Sequence, residues 1–310
     1  MHNKRNTIQL IMKLAARNLV ALLFALLLVY SAVFFLINAL PSDPARATLG
    51  PIASQSAVNQ LRADYGLDLP TSERYFKALI MMGTGNFGQS IFYQQPASTI
   101  IGEMLPISLL RTVIALTIGG CLGLIVGYMM RNAKVRARTS LALFYSIPSF
   151  CVMVLLLWGG SWVGGWTPMG NPWMFEVLAI FCAALYPASA IARQIAERLD
   201  IRHHRPAHVD FLQMLHVPDK SLARILWLEG ISEAIAILLN SIPLVFTAVT
   251  FAEIILNLEG FGKVFIESSA RGDLSILVGG TLVLSTIMLL VHFSGDIIIR
   301  TIDPRFSNDE

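Results

Sequence analysis

The stretch Pro106-Ile-Ser-Leu-Leu-Arg-Thr-Val-Ile-Ala-Leu-Thr-Ile-Gly-Gly-Cys-Leu-Gly-Leu-Ile-Val-Gly-Tyr-Met-Met130, followed at once by Arg131, Lys134, Arg136 and Arg138, decides the fold. An apolar run of about 20 residues is what a helix needs to cross bilayer hydrocarbon. A basic cluster at its end marks the cytoplasmic side. Five other runs have the same character: Leu19 to Leu40, Leu141 to Trp158, Trp173 to Ile191, Ile231 to Leu256 and Ile276 to Ile299. The expected fold class is an all-α membrane protein with six transmembrane helices.

Composition points the same way. Only 14% of the 310 residues are charged and mean hydropathy is +0.63, against roughly a quarter charged in soluble domains, so the bulk of the chain is no soluble enzyme. The net charge of +3 sits in short patches between apolar runs, which set orientation rather than bind nucleic acid. Cys121, Cys151 and Cys182 lie inside apolar runs with no CxxC or histidine spacing suited to zinc, and read as small core residues with no metal role.

Orientation follows from the connections. Lys4, Arg5, Lys13 and Arg17 precede the first run, which is longer than the core of a cleavable signal peptide and reads as a retained helix; cleavage after Ala39 is the alternative. The connection from Gly159 to Pro172 carries tryptophans and no Lys or Arg, as an outer interfacial turn does, while Arg193, Arg198, Arg202, Arg205, Lys220 and Arg224 return the next one to the cytoplasm. Both termini are therefore expected in the cytoplasm. The organisation reads as a tail and first span (1–40), an extracytoplasmic loop (41–105), a five-helix core (106–300) with a cytoplasmic connection at 193–224, and a cytoplasmic tail (301–310). The loop carries two capped helices, Ser56 to Tyr65 stopping at Gly66 and Thr71 to Met82 stopping at Gly83.

The chain carries no engine of its own. A phosphate-cradling G-x-x-x-x-G-K-[ST] loop is absent, and the nearest string, Gly260-Phe261-Gly262-Lys263, continues with Val264 on the outer side. No HExxH or G-x-S-x-G appears either, which excludes the common hydrolases. The connection before the fifth span holds Phe211, Leu212, Met214 and Leu215 on one helical face. Pro218 suits the first position of a second short helix, with Asp219 at its positive end. Two short helices joined by a bend at His216 would form a rigid knob; an ordinary amphipathic surface helix is the alternative. Pro148, Pro187 and Pro243 can bend or interrupt their spans. Glu253, near the end of the fifth span, is costly in a membrane unless it pairs, hydrates or faces a cavity. It reads as a gate or path residue, or as a structural hydrogen-bonding one. Glu229 and Glu233 face water or a partner, His203, His204 and His208 sit on a solvated face, and His292 is expected to be packed.

Several motifs carry a family resemblance: Pro41-Ser42-Asp43-Pro44, Tyr65-Gly66-Leu67-Asp68-Leu69-Pro70, Gly85-Asn86-Phe87-Gly88-Gln89-Ser90, Ser146-Ile147-Pro148-Ser149-Phe150, Gly260-Phe261-Gly262 and Asp303-Pro304-Arg305. In order and spacing the chain resembles the dipeptide, oligopeptide and nickel class of ABC importer permeases along almost its whole length. Physically, Pro44 helps to end the first span, and Gly85 and Gly88 permit tight turning. The resemblance implies a bacterial inner-membrane subunit that is no enzyme and binds no cofactor itself, with ATP and Mg on partner subunits. Its implied partners are a second homologous permease, cytoplasmic ABC ATPases docking on the loop around Phe211 to Asp219, an extracytoplasmic substrate-binding protein and membrane lipid, with no nucleic acid. Small peptides are the first expected substrate; nickel or a metal chelate, polyamines and antimicrobial peptides are alternatives, and an ion-coupled secondary transporter is the rival mechanism. Two departures stand out. The docking loop has bulky residues and His216 where the family has small residues and Gly, and Glu259-Gly260-Phe261-Gly262 stands where Pro-Gly-x-Gly is usual.

Overall fold

A computed structural model describes residues 20–21, 23–36, 38–39, 43–50, 52–64, 66–133, 146–165, 172–199, 214 and 219–302. Within them the chain is helical: α1 (Leu23–Leu36), α2 (Pro44–Leu49), α3 (Gln55–Asp64), α4 (Thr71–Gly83), α5 (Ala97–Met129), α6 (Ser149–Gly164), α7 (Pro172–Arg198), α8 (Asp219–Ile255), α9 (Phe261–Arg271) and α10 (Leu274–Ile302). Among the described residues, four helices are long and apolar enough to cross a membrane, within α5, α7, α8 and α10, and α1 and α6 are shorter apolar helices. The chain divides into two compact units, residues 1–106 with 264–293 and residues 107–263 with 294–310.

In the first unit, Asp43 caps α2 through Ala45 N at 3.2 Å, with Pro44 at the start of the helix. The Asp43 carboxylate also pairs with Arg62 of α3 at 3.3 Å. Tyr30 and Phe34 of α1 pack with Tyr75 of α4 and Val278 of α10, and the Tyr30 hydroxyl donates to Tyr75 O at 2.7 Å. Gly85 and Gly88 adopt φ of 74° and 84°, the left-handed turn that suits glycine. Between them Phe87 lies so close to α10 that a Cβ on Gly279 would stand 2.7 Å from its ring. Ser90 donates to buried Asp273, and Tyr93 Oη donates to Glu267 at 3.3 Å. Burial and then the Glu267 charge raise the Tyr93 phenol, so it stays the donor.

In the second unit α7 packs along α5 and α8. Gly119, Gly123 and Gly127 form a four-residue repeat on α5 whose missing side chains admit the α7 backbone. A Cβ there would stand 2.8 Å from Ala184 O, 2.9 Å from Ala188 O and 2.8 Å from Ala192 O respectively. Small residues at this spacing are how membrane helices approach closely where no hydrophobic effect drives them together. Gly123→Val should therefore force α5 and α7 apart and cost about 1–3 kcal/mol as overpacking, read as a lowered Tm of the detergent-purified protein.

The structure corrects several sequence-based expectations. The helix that holds the second run begins at Ala97, ahead of Pro106. Ala97, Ile100, Ile101 and Leu105 bury one helical face, which offsets the backbone bond lost at an internal proline. Pro148 interrupts rather than bends, one of the two outcomes expected: Ser146 is helical, and Pro148, at φ −56° and ψ 130°, precedes α6 in extended conformation. That helix runs beyond Trp158 to Gly164, where Gly165 at φ 61° ends it. The second short helix expected from Pro218 is not separate. Asp219–Ile255 is one helix of 37 residues, because no residue from Lys220 to Leu228 is a helix breaker. Pro187 and Pro243 do lie inside their helices. His292 is exposed rather than packed. Helices α2 and α9 have no counterpart in the sequence-based reading.

Candidate functional site

The best-defined polar site lies in the second unit, at the C-terminal end of α8. Glu253 is wholly buried there, and a buried carboxylate is tolerated only when paired and hydrogen-bonded. Its Oε1 accepts from Ser108 Oγ at 2.6 Å and Arg111 Nη1 at 2.8 Å, both from α5, and its Oε2 accepts from Gly262 N at 2.7 Å.

Every neighbour is itself tied. Arg111, with 8% of its side chain exposed, grips Glu176 of α7 in a two-bonded fork at 2.7 and 2.5 Å and donates to Glu259 O at 2.5 Å. Such forks fix orientation as well as charge. Ser108 Oγ also accepts from Phe261 N at 2.8 Å. Two of the backbone N–H groups that open α9, otherwise unmade, thus end on a hydroxyl and a carboxylate. The Arg111 guanidinium joins α5, α7 and α8, and Ser108 and Glu253 add the start of α9.

The glycines explain why the chain can close around this carboxylate. A Cβ on Gly260 would overlap the Glu253 carboxylate itself, and one on Gly262 would stand 2.7 Å from Thr250 Cα and 2.8 Å from Glu253 Oε2. Neither glycine has the left-handed conformation, so close approach is the requirement. Between them and α8 the chain turns through Asn257 at φ 54°, with Leu258 N bonded to Glu253 O at 2.9 Å. The site holds charge in place and offers no nucleophile or base free to react.

A second polar cluster flanks the cytoplasmic connection expected from the sequence. Arg198, at the end of α7, donates through Nε to Glu233 of α8 at 3.0 Å, Gln194 also donates to Glu233, and Glu229 stands 4.0 Å from Arg198. Glu229 and Glu233 therefore face α7, a correction to their expected place toward water or a partner. Of the residues assigned to the connection, Asp219 begins α8, while Phe211, Leu212, Leu215, His216 and Pro218 lie outside the described residues. So do Asp303, Pro304 and Arg305 and the histidines at 203, 204 and 208. Met214 is exposed.

The sequence reading singled out Glu253, Gly260 and Gly262 but missed Ser108, Arg111 and Glu176. A signal was present. Arg111 and Glu176 are lone charges inside the second and fourth apolar runs, and intramembrane charges seek one another. Among the described residues, no group of three or more His, Cys, Asp or Glu side chains could hold a metal ion.

Comparison with known proteins settles the class. Residues 119–308 match the model of the binding-protein-dependent transport system inner membrane component, and residues 11–109 match the N-terminal model of the same type of membrane component. The chain belongs to this permease family. It is the permease subunit of an ABC importer and not an enzyme. The permease is 27% identical over 309 residues to the dipeptide transport system permease protein of Lactococcus lactis, covering 94% of this chain and 98% of that protein. It is also 23% identical over 300 residues to the glutathione transport system permease protein of Salmonella paratyphi A, covering 93% and 96%. The family description makes the permease an inner-membrane component of a binding-protein-dependent system, and its long apolar helices make it multi-pass.

Proposed function

We propose that this permease imports small peptides across the inner membrane, driven by ATPase subunits on its cytoplasmic side. The full-length similarity to a dipeptide and a glutathione permease carries this reading. In this account six spans leave both termini in the cytoplasm. A second homologous permease completes the path, and a substrate-binding protein delivers peptide at the extracytoplasmic segment 41–105. Residues Phe211, Leu212, Leu215, His216, Pro218 and Asp219 meet the ATPase. The continuity of α8 with Asp219 favours a lever: force on the connection reaches the membrane through one unbroken helix, and Arg198 with Glu233 passes it to α7.

Glu253 then acts as a strut rather than a ligand. It holds the start of α9 against α5 and α8 at the outer end of the fifth span, so that the outer gate moves as one piece. Glycines 260 and 262 keep that strut short, while Asp43, Pro44, Gly85 and Gly88 shape the outer loop, and Pro148 sets where the third span begins.

The substrate is tested by uptake of a radiolabelled dipeptide into cells expressing the complete transporter. Excess unlabelled di- and tripeptides should abolish uptake, while nickel and spermidine leave it unchanged. Competition by nickel or spermidine alone would reassign the substrate. The lever has its own test. Glu233→Ala leaves Arg198 partly buried without its main partner and should lower uptake about tenfold at unchanged membrane insertion, the size of effect that one broken charge-assisted bond at a transmission point produces. Normal uptake by this variant would remove the clamp from the mechanism.

A further inference from the structure

We infer that a polar groove between α7 and α8, centred on Asn240, lines the inner half of the peptide path; this rests on the importer reading above. A cavity of about 390 Å³ lies there, bounded by Tyr186, Arg193, Gln194 and Glu197 of α7 and by Asn240 and Ser241 of α8. Asn240 is the decisive residue. It stands 16 positions after Arg224, where the apolar segment of α8 begins, which is ~24 Å along a helix and near the middle of that segment. Its side chain is exposed, and among the described residues its carboxamide makes no hydrogen bond within the chain. A free carboxamide at that depth does not face lipid stably, because hydrocarbon offers it no partner. It faces water, the substrate or a protein partner.

The surroundings decide for a path. Pro243 and Thr247 are exposed three and seven positions further on, on the same face of α8 as Asn240. Pro243 has no N–H, so the carbonyl of Leu239 lacks its usual helical donor near this face. In the other direction the groove reaches an Arg193–Glu197 pair at 2.8 Å, with side chains 39% and 48% exposed. A cation and an anion on the α7 side and a carboxamide on the α8 side match the terminal carboxylate, terminal ammonium and amide groups of a short zwitterionic peptide. The pair can exchange its partners for the peptide termini without leaving either charge uncompensated.

The test uses the assembled transporter in inverted membrane vesicles, with Cys121, Cys151 and Cys182 replaced by alanine so that single cysteines can be read. Asn240→Cys should react with a charged methanethiosulfonate reagent, and an excess of glycyl-leucine should slow that reaction several-fold. Leu155→Cys, an exposed apolar position on α6, should stay unreactive to the charged reagent. In whole cells expressing the complete transporter, Asn240→Leu should reduce glycyl-leucine uptake at least tenfold at equal membrane insertion. Reaction of Asn240→Cys only with a lipid-soluble maleimide, or its cross-linking to the second permease in every nucleotide state, would overturn the groove. Either result obtained while the parent transporter still imports glycyl-leucine leaves the importer reading standing. Absence of ATP-dependent uptake by the parent would instead overturn that reading.

Discussion

Arg111→Leu is expected to be the most damaging single substitution in the described part of the chain. It leaves Glu253 wholly buried with a hydroxyl and one backbone N–H but no countercharge. Removing one partner of a buried pair costs about 3–5 kcal/mol, because the orphaned charge keeps its desolvation penalty. Glu176 adds less, since 38% of its side chain is exposed and can be hydrated. The variant should be recovered from membranes at reduced level and show a Tm well below that of the parent. Combining it with Glu253→Gln should restore part of the loss, since no charge is then buried alone. An Arg111→Leu protein as stable as the parent would mean that the cluster does not hold the end of α8.

The second large effect is functional. Phe211→Asp places a charge where an apolar anchor is proposed to enter the ATPase cleft. Anchors of this kind carry about 2 kcal/mol or more of an interface, so uptake should fall more than tenfold. Membrane insertion and the stability of the permease should be unaffected. ATP hydrolysis should persist but no longer respond to the substrate-loaded binding protein. Normal coupled transport by this variant would move the contact away from the connection at 193–224.

How much of this was legible in the sequence differs between fold and site. Apolar runs marked where the four long apolar helices are, because hydrocarbon imposes length and composition directly. Their ends were less legible. Pro106 looked like a first helical residue, yet the buried face from Ala97 to Leu105 carries α5 through it. Pro148 could bend or interrupt its helix, and only the structure shows that it interrupts it just before Ser149. A proline marks a lost N–H, but whether a helix starts, bends or continues there depends on packing the sequence does not display.

The site shows the same division. Glu253 stood out as a charge in an apolar run, and Gly260 and Gly262 as a motif. That one carboxylate makes both glycines necessary emerges only in three dimensions, where either Cβ would crowd Glu253. Arg111, the group that makes the burial tolerable, was legible in principle as a lone cation in the second span. The partners of Glu233 were hidden by a different ambiguity, since a charge near a span end suits the water interface as well as a neighbouring helix.

The central claim, a path and a lever powered by separate subunits, is most directly tested in proteoliposomes containing both permeases and the ATPases, with the binding protein and a labelled dipeptide outside. With ATP enclosed and no ion gradient, uptake should proceed, and enclosing a non-hydrolysable ATP analogue instead should stop it. Uptake that ignores ATP and follows an imposed proton or sodium gradient would contradict the account.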